Sequence, residues 1–303
     1  MLPAVSVLRW TDPRASAPPD RSSPTEPMAG PLISFLTDFG PESAPAVCRG
    51  VMWSVAPDAR ILDLSHTVRK FAIRDGALLL SRMVGYLEVG VHVAVVDPGV
   101  GTARRPVALR AGRGDLLVGP DNGLLIPAAR VLGGVMEAHE ITASDLFLTR
   151  VSSTFHGRDI FSPVGAHLAN GVPLERVGPA ADPGTLVDLT LPEARVGDGV
   201  LETAVLLIDS FGNARLAGQP ADLARSAGGE LEPGRRFRVR GGSIPAGGCD
   251  VSWHRAFGEV APGEALLYED ADYGGLGISV NQASAAERFG LTIDTPLRIE
   301  ATP

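Results

Sequence analysis

The feature that most constrains the fold is an alternation of short apolar runs with helix-like segments between Leu32 and Asn170. The runs read LISFLTDF, ILDL, VHVAVVD, VALRA and LLVG, and the helix-like segments are 46–55, 73–83 and 160–169. Strands that alternate with helices predict a mainly parallel sheet covered by helices on both faces. The run VHVAVV is almost purely apolar, as expected of a strand that is buried on both sides. The sequence therefore predicts an α/β domain over residues 31–180.

The pattern changes after this domain. Residues 181–198 are polar and contain Pro and Gly, which is typical of a linker. The later runs ETAVLLID, RFRVR, ALLYED, GLGISVN and TPLRIE are short, alternating and separated by Gly and Pro, which predicts a smaller all-β domain over residues 199–303, with a barrel as one solution. Residues 1–30 are rich in Pro, Ser and charge, which predicts a disordered extension and makes Met28 a candidate native start.

The charge balance narrows the choice of partners. Lys and Arg number 27 against 35 Asp and Glu, so the formal charge of -8 argues against a nucleic acid or an anionic membrane as the main partner. No apolar stretch approaches the length of a membrane span, and the first residues lack the pattern of a signal peptide. Cys48 and Cys249 have no second cysteine at metal or redox spacing, which favours reduced thiols. We therefore expect a cytoplasmic protein.

The stretch VDPGVGTARR places a carboxylate where a buried strand opens into a loop. Ligands collect where the strands of a parallel sheet end, so Asp97 is the first candidate for chemistry. The loop permits sharp turns and close backbone approach through Pro98 and two glycines, and then presents Arg104 and Arg105. A carboxylate beside a guanidinium at a sheet edge is either a catalytic group or a structural ion pair.

Further polar residues follow other predicted strands. Asp38 closes the first strand in LTDFG, where it is either a ligand for a ribose diol or a turn aspartate. The segment TFHGRD groups a hydroxyl, an aromatic ring, an imidazole, a guanidinium and a carboxylate just before a helix. Of the six histidines, His156 in this segment is the preferred candidate, because Gly157 frees the backbone beside it and Arg158 and Asp159 offer orienting partners. The turn GPDNGLL is better explained as structural, and so is the histidine of ILDLSH.

Common catalytic machinery is absent. The chain has no GxGxxG after its first strand, no GxxxxGK[ST], no GxSxG elbow and no HExxH. A nicotinamide enzyme, a P-loop ATPase and an α/β-hydrolase are therefore disfavoured. Asp97, His156 and Asp159 are possible metal ligands by residue type, but the neighbouring arginines would repel a divalent cation.

Eight motifs in order, LTDFG, RGVM, ILDLSH, VVDPGVGTARR, GPDNGLL, TFHGRD, IDSFGN and ISVNQ, resemble the S-adenosyl-L-methionine hydroxide adenosyltransferase family. This family is related to the fluorinating and chlorinating enzymes, and the resemblance covers Leu32 to Glu300. It implies a Rossmann-like α/β domain, a C-terminal β-barrel and a homotrimer with sites between subunits. It also implies a reaction of S-adenosyl-L-methionine with water that gives adenosine and L-methionine, without a cofactor or metal.

The resemblance assigns roles to individual residues. The catalytic Asp, Arg and His of the family fall on Asp97, Arg104 and His156, and the ribose-binding aspartate falls on Asp38. The other implied contacts are an aromatic wall near the ribose, a carboxylate for the methionine ammonium, an apolar wall, an amide for adenine and the amide of ISVNQ. The aromatic wall near the ribose falls on Phe71 and Phe155, and the carboxylate for the methionine ammonium falls on Asp209. The apolar wall falls on Phe211 and the amide for adenine on Asn213. The amide of ISVNQ is Asn281.

Three details bear on the branch of the family. The halogenating relatives carry a tyrosine in place of Asp97 and lack the histidine of TFHGRD, so this chain resembles the branch that uses water. The loop after LTDFG is one residue shorter than the family pattern, which leaves Glu42 and Ser43 as stand-ins. An AsnSer motif is replaced by EDADYGG at residues 269–275, so both departures touch the methionine end of the site.

In the expected mechanism Asp97 and His156 hold and polarise a water, and Arg104 either fixes Asp97 or binds the developing hydroxide. The residue that takes the proton stays open, because a nearby arginine makes a carboxylate a weaker base. The alternatives are a halogenating enzyme of the same fold, a non-catalytic nucleoside or S-adenosyl-L-methionine sensor, and a metal-dependent hydrolase.

Overall fold

The computed structural model describes residues 30–270 and 275–302. The chain divides into two compact units, with the boundary between Leu189 and Thr190. The predicted extension, including the candidate start Met28, lies outside the described residues except for Gly30.

The first unit is built on a six-stranded sheet with the strand order β2-β1-β3-β5-β4-β6. Strands β2, β1, β3 and β5 are parallel, and β4 runs antiparallel to both β5 and β6. This confirms the predicted α/β class with its mainly parallel, Rossmann-like sheet. The strands are β1 (Leu32–Thr37), β2 (Arg60–Ser65), β3 (Val91–Val95), β4 (Pro106–Ala111), β5 (Leu116–Pro120) and β6 (Val135–Glu140), and the α-helices are α1 (Ser43–Val55), α2 (Ile73–Val84), α3 (Ile126–Val131) and α4 (Ser162–Ala169).

Helices cover both faces of this sheet, which explains why its central strands are apolar at almost every position. Successive side chains of β1 point to opposite faces. Phe35 belongs to a buried cluster with Met52 of α1 and with residues of α4, whereas Leu36 belongs to a second cluster with Leu80 of α2 and Ala128 of α3. Each such fully buried side chain contributes roughly 1.5–3 kcal/mol through removal from water.

One polar network lies inside this apolar sheet. Ser34 Oγ lies 2.7 Å from His92 Nδ1, and His92 Nε2 lies 3.0 Å from Asp115 Oδ1. Arg113 donates to both oxygens of Asp115, at 2.7 and 2.8 Å. Burial alone raises the pKa of Asp115, but hydrogen bonds from Arg113 and His92 outweigh it and hold the pKa well below its usual range. The side chains of His92 and Asp115 are 0% exposed, so this network is structural.

The helix predicted over residues 160–169 has an irregular start. Gly157–Phe161 form one π-helical turn, and α4 begins only at Ser162. Ser162 Oγ donates to the Gly157 carbonyl oxygen at 2.7 Å and closes this turn. A π turn holds an extra residue in the helix and occurs frequently at functional sites. Hydrophobic periodicity does not reveal such an insertion, which is why the sequence predicts an earlier start.

The second unit is an all-β barrel, as predicted. Seven strands form a closed ring in the order β14-β10-β11-β12-β13-β9-β8, because β14 also pairs with β8, and β7 extends the sheet beside β8. The strands are β7 (Arg195–Gly197), β8 (Val200–Ile208), β9 (Ala214–Leu216), β10 (Arg236–Gly241), β11 (Cys249–Trp253), β12 (Ala265–Asp270), β13 (Gly275–Val280) and β14 (Pro296–Ala301), with helices α5 (Pro220–Ser226) and α6 (Ala285–Phe289).

Residues 181–198, predicted as a linker, are divided between the units. Ala181, Leu186 and Leu189 pack against the apolar core of the first unit, whereas β7 pairs with β8 in the second. The part of this segment nearest the first unit is therefore ordered by apolar contacts.

Within residues 30–270 and 275–302, no helix has the length and apolar character needed to cross a membrane.

Candidate active site

A cavity opens at the carboxyl ends of β1 and β3. Five of the residues predicted from the sequence line it, namely Asp38, Phe71, Asp97, Phe155 and His156. The two aspartates follow parallel neighbouring strands whose last residues are paired, because Thr37 lies opposite Val95. Carboxyl ends of parallel strands meet at one edge of a sheet, and this brings together residues that are distant in the sequence.

Asp97 forms an ion pair with Arg104 at the base of the cavity. Arg104 Nε donates to both carboxylate oxygens of Asp97 at 3.0 Å, and its terminal Nη2 donates to Oδ2 as well. The Asp97 side chain is 5% exposed and that of Arg104 is 10% exposed, so the pair is shielded from bulk water. Arg104 also lies over the ring of Phe161 at 5.1 Å from its centroid, which fixes the guanidinium plane. The carboxylate is therefore held in one orientation.

Arg104 also fixes the protonation of His156. Its Nη2 lies 3.0 Å from His156 Nδ1. A guanidinium can only donate, so Nδ1 is the acceptor and the imidazole proton is assigned to Nε2. Burial lowers the pKa of His156 first, and the positive charge of Arg104 lowers it further against the opposing effects of Asp97 and Asp159. His156 is therefore a neutral imidazole whose Nε2 carries a hydrogen that it can donate.

The turn that carries His156 is closed by Asp159. This buried carboxylate accepts the backbone N–H of Ser152 at 2.8 Å and a hydrogen bond from Arg158 Nε at 2.6 Å. Ser152 Oγ in turn accepts the Phe155 N–H at 3.0 Å. The approach of the chain to His156 is thus determined by backbone hydrogen bonds, and the TFHGRD cluster of the sequence acts partly as scaffold.

Asp38, which also lines the cavity, is held by a backbone donor. Its Oδ2 accepts the N–H of Phe71 at 2.8 Å. Phe71 has a φ of +67°, a left-handed conformation that costs energy for an aromatic residue, and its side chain is 70% exposed. Strained residues of this kind cluster at ligand sites. The contact orients Asp38 and leaves its other oxygen for the ribose hydroxyls that the resemblance implies.

The remaining predicted residues belong to the second unit. Asp209 accepts the N–H groups of Phe211 and Asn213 at 2.9 Å each, and also the Asn213 side-chain amide at 2.8 Å. Phe211 is 77% exposed at the tip of this turn. Asn281 is buried and donates its side-chain amide to the Val260 carbonyl at 2.7 Å. The structure thus shows internal partners for the three polar side chains, and their contacts with substrate stay predictions.

The cavity also has lining residues that the sequence analysis did not select, among them Phe39, Lys70, Val100 and Thr154. Phe39 packs edge-on against Phe155 with ring centroids 5.5 Å apart, and its ring leaves no room for a side chain at Gly157. Lys70 could have been selected from the sequence, because it directly precedes the predicted site residue Phe71. Among residues 30–270 and 275–302, no three His, Cys, Asp or Glu side chains are grouped as a metal site, so Asp97, His156 and Asp159 do not form one.

The chain is similar to several known proteins. A relative in Salinispora tropica named (R)-S-adenosyl-L-methionine hydrolase is 47% identical over 89% of this chain and 98% of its own length. A fluorinase of Actinopolyspora mzabensis is 31% identical over 60% of this chain and 70% of its own length. The crystal structure of an uncharacterized conserved protein from Thermotoga maritima superposes with a TM-score of 0.80 at 32% identity, over 88% of this chain and 99% of that one.

The family models described as the N-terminal and C-terminal domains of SAM hydroxide adenosyltransferase match residues 33–178 and 203–298. Together they cover most of both units, so the chain belongs to the SAM hydroxide adenosyltransferase family.

Proposed function

We propose that this protein hydrolyses S-adenosyl-L-methionine by attack of water on the ribose 5′ carbon, which gives adenosine and L-methionine. The observation that carries the proposal is that Asp97 and His156, both hydrogen-bonded to Arg104, line one cavity together with Asp38. Relatives with full-length similarity are named as hydrolases of this substrate, which supports the same reaction here.

The nucleophile of this reaction has to be activated, whereas the leaving group does not. The sulfonium leaves as a neutral thioether when the carbon–sulfur bond breaks, so no acid has to protonate it. Water is a weak nucleophile, and a base together with in-line alignment supplies the rate. Water loses a proton, its oxygen bonds to the 5′ carbon, and the electron pair of the breaking bond goes to sulfur.

The hydrogen-bond pattern supports one division of the two roles around the water. His156 has Nδ1 occupied by Arg104 and a hydrogen on Nε2, so it donates to the water oxygen and orients it. Asp97 is the acceptor for the water proton, because a carboxylate retains free lone pairs beside its Arg104 contacts. We place the proton transfer late, when the attacking oxygen has already lost electron density to carbon and its hydrogen has become more acidic.

The test is incubation of purified protein with S-adenosyl-L-methionine followed by chromatography. Release of adenosine and L-methionine by the wild type, and its loss in Asp97→Ala and His156→Ala, supports the proposal. Binding without adenosine release by the wild type favours a non-catalytic sensor. Loss of activity on treatment with a chelator favours a metal-dependent hydrolase, whereas the proposed reaction needs neither metal nor cofactor.

A halogenating reaction is the second candidate, since fluorinases are relatives. The negative charge of Asp97, shielded from water, disfavours a halide in the same position. A 5′-chlorinated nucleoside formed in chloride buffer would reject the hydrolase.

We propose that the protein acts as a homotrimer with sites between neighbouring subunits, in the cytoplasm. The large exposed fractions of Phe71 and Phe211 support shared sites, because each aromatic ring gains apolar contact when a neighbour or substrate covers it. Both cysteines are free, which supports a reducing compartment. Light scattering tests the mass, and cell fractionation tests the location.

Shared sites have a direct functional test. Asp97→Asn and Asp209→Asn change different units of the chain. If one site uses Asp97 of one subunit and Asp209 of the next, co-expression of the two inactive variants produces some intact sites and restores activity. Mixed trimers without activity would contradict shared sites.

A further inference from the structure

Lys70 is the sole lysine of the chain, and it lines the candidate active site. The other 26 of the 27 Lys and Arg residues are arginines, so ion pairs elsewhere among the described residues use guanidinium or imidazole groups. The one lysine ammonium lines the same cavity as Asp38, Phe71 and Asp97. Lysine and arginine are not equivalent, because an ammonium is a small point charge on a flexible stem and a guanidinium is a rigid planar fork.

The backbone on both sides of Lys70 is anchored. Arg69 donates to the two oxygens of Asp75 at 2.6 and 3.1 Å, and the Phe71 N–H donates to Asp38 at 2.8 Å. Lys70 therefore joins the cavity lining from a defined backbone position, and the residue is exposed.

The ammonium of Lys70 has no hydrogen bond or ion pair with another residue of 30–270 or 275–302. The nearby carboxylate of Asp97 is already neutralised by Arg104, and that of Asp38 is held by a backbone N–H. The Lys70 ammonium adds a positive charge to a cavity that is proposed to bind a positive sulfonium. Binding of the sulfonium is therefore disfavoured unless another group of the substrate supplies a negative charge near Lys70.

The charges of the substrate decide what that anion is. At neutral pH S-adenosyl-L-methionine carries a positive sulfonium, a positive ammonium and one negative carboxylate. Lys70 repels the first two groups and attracts the third, as expected of an ammonium that can donate a charge-assisted hydrogen bond to a carboxylate.

We propose that Lys70 binds the carboxylate at the amino-acid end of the substrate and selects amino-acid sulfoniums over sulfoniums without a carboxylate. This inference rests on the proposed function. It makes Lys70 a specificity-determining residue that acts on binding, with no part in the attack of water. A contact between an ammonium and a carboxylate at a half-open site changes affinity by about tenfold.

The test compares two substrates in two variants. The substrates are S-adenosyl-L-methionine and its decarboxylated analogue, which keeps the sulfonium and the amine. In Lys70→Met, we expect KM for S-adenosyl-L-methionine to rise about tenfold with kcat within about twofold, and kcat/KM for the decarboxylated analogue to stay unchanged or rise. Lys70→Arg keeps the charge and should recover part of the lost affinity.

Arg176→Met is the matched control. It also removes one positive charge from the first unit, but its side chain is exposed on the surface and pairs with Asp145. This variant should behave as the wild type with both substrates. Equal losses with both substrates in Lys70→Met, or no loss with either, would overturn the inference while adenosine release by the wild type still supports the proposed function.

A labelling experiment tests Lys70 without turnover. Because Lys70 is the sole lysine, reductive methylation modifies only this side chain and the amino terminus, and peptide mass spectrometry separates the two. S-Adenosyl-L-methionine should slow the methylation of Lys70 in the inactive variant Asp97→Asn, and the decarboxylated analogue at equal occupancy should not. Equal protection by both compounds, or protection by neither, would reject the carboxylate contact even in a protein that hydrolyses nothing.

Discussion

Two clusters in the first unit are built from the same three residue types, and they differ in which residue is central. In the cavity the arginine is central, because Arg104 donates to both the carboxylate and the imidazole. Inside the sheet the aspartate is central, because Asp115 accepts from both the arginine and the histidine. The central residue decides the charge that the histidine experiences.

A cationic neighbour keeps His156 neutral and leaves Nε2 with a hydrogen to donate, whereas an anionic neighbour on Nε2 gives His92 an acceptor for its own proton. The other ring nitrogen of His92, Nδ1, is hydrogen-bonded to Ser34, so neither nitrogen is available to a ligand. Residue types alone therefore do not distinguish a reactive cluster from a structural one, while the order of contacts does.

Asp97→Asn tests this distinction with the largest expected effect. The amide keeps the shape and an acceptor oxygen for Arg104 but does not take a proton at neutral pH. We expect kcat to fall by about 10²–10⁴-fold, the usual contribution of a positioned proton acceptor. Adenosine release followed by chromatography measures it. A loss below tenfold would show that the cluster in the cavity is structural as well.

His156→Ala and His156→Gln separate a donor role from a base role. Loss of a positioned donor costs about 10²–10³-fold in kcat, so alanine should show a loss of that order. The glutamine amide can place an N–H near the position of Nε2, and we expect it to recover at least tenfold over alanine. Equal activity of the two variants would favour His156 as the proton acceptor.

Asp115→Asn is the matched variant in the structural cluster. It removes a charge that is fully buried and leaves Arg113 without its ion pair. We expect a loss of about 3 kcal/mol in the free energy of unfolding, since breaking a buried pair on one side is strongly destabilising. Urea denaturation measures the loss, and kcat of the folded variant should match the wild type.

The same variant has a defined pH dependence. The pKa of Asp115 is lowered in the folded state, so its stabilisation is complete above the unfolded value of about 3.9 and disappears as the pH falls through the folded value. The stability difference between wild type and Asp115→Asn should be constant above about pH 5 and shrink in acid. A difference that grows in acid would show that Asp115 is not ionised through these contacts.

Arg104→Gln has the smallest effect that we predict, a shift in a titration. Burial and Arg104 lower the pKa of His156, so the wild-type imidazole protonates at a lower pH than an ordinary histidine, and kcat/KM should fall only in that more acidic range. Removal of the guanidinium charge should move the titration of His156 to higher pH. The imidazole proton resonance of His156, assigned with His156→Gln, reports it. An unchanged or lower titration pH would show that Arg104 does not control this histidine.

The sequence is sufficient to predict the parts that depend on periodicity and strand ends. The apolar runs around Ile33 and Val93 predict a buried parallel sheet, and Asp38 and Asp97 follow from their places after those runs. The sequence does not show that the helix before Ser162 begins with a π turn, because an extra residue in a helix leaves the apolar pattern almost unchanged. The loop sequence predicts that Arg104 lies near Asp97, but it does not show that the same guanidinium also contacts His156, since contacts between distant side chains depend on tertiary packing.

Residue pairing between β1 and β3 has one more consequence. Thr37 and Val95 are direct neighbours in adjacent strands, so the origins of the loops that carry Asp38 and Asp97 are separated by the inter-strand spacing of about 4.8 Å. A hydrogen-bonded sheet does not stretch, which makes this separation insensitive to insertions elsewhere. Enzymes on this scaffold can therefore differ in the groups they transfer or release, while the distance between the loop that carries Asp38 and the loop that carries Asp97 stays the same.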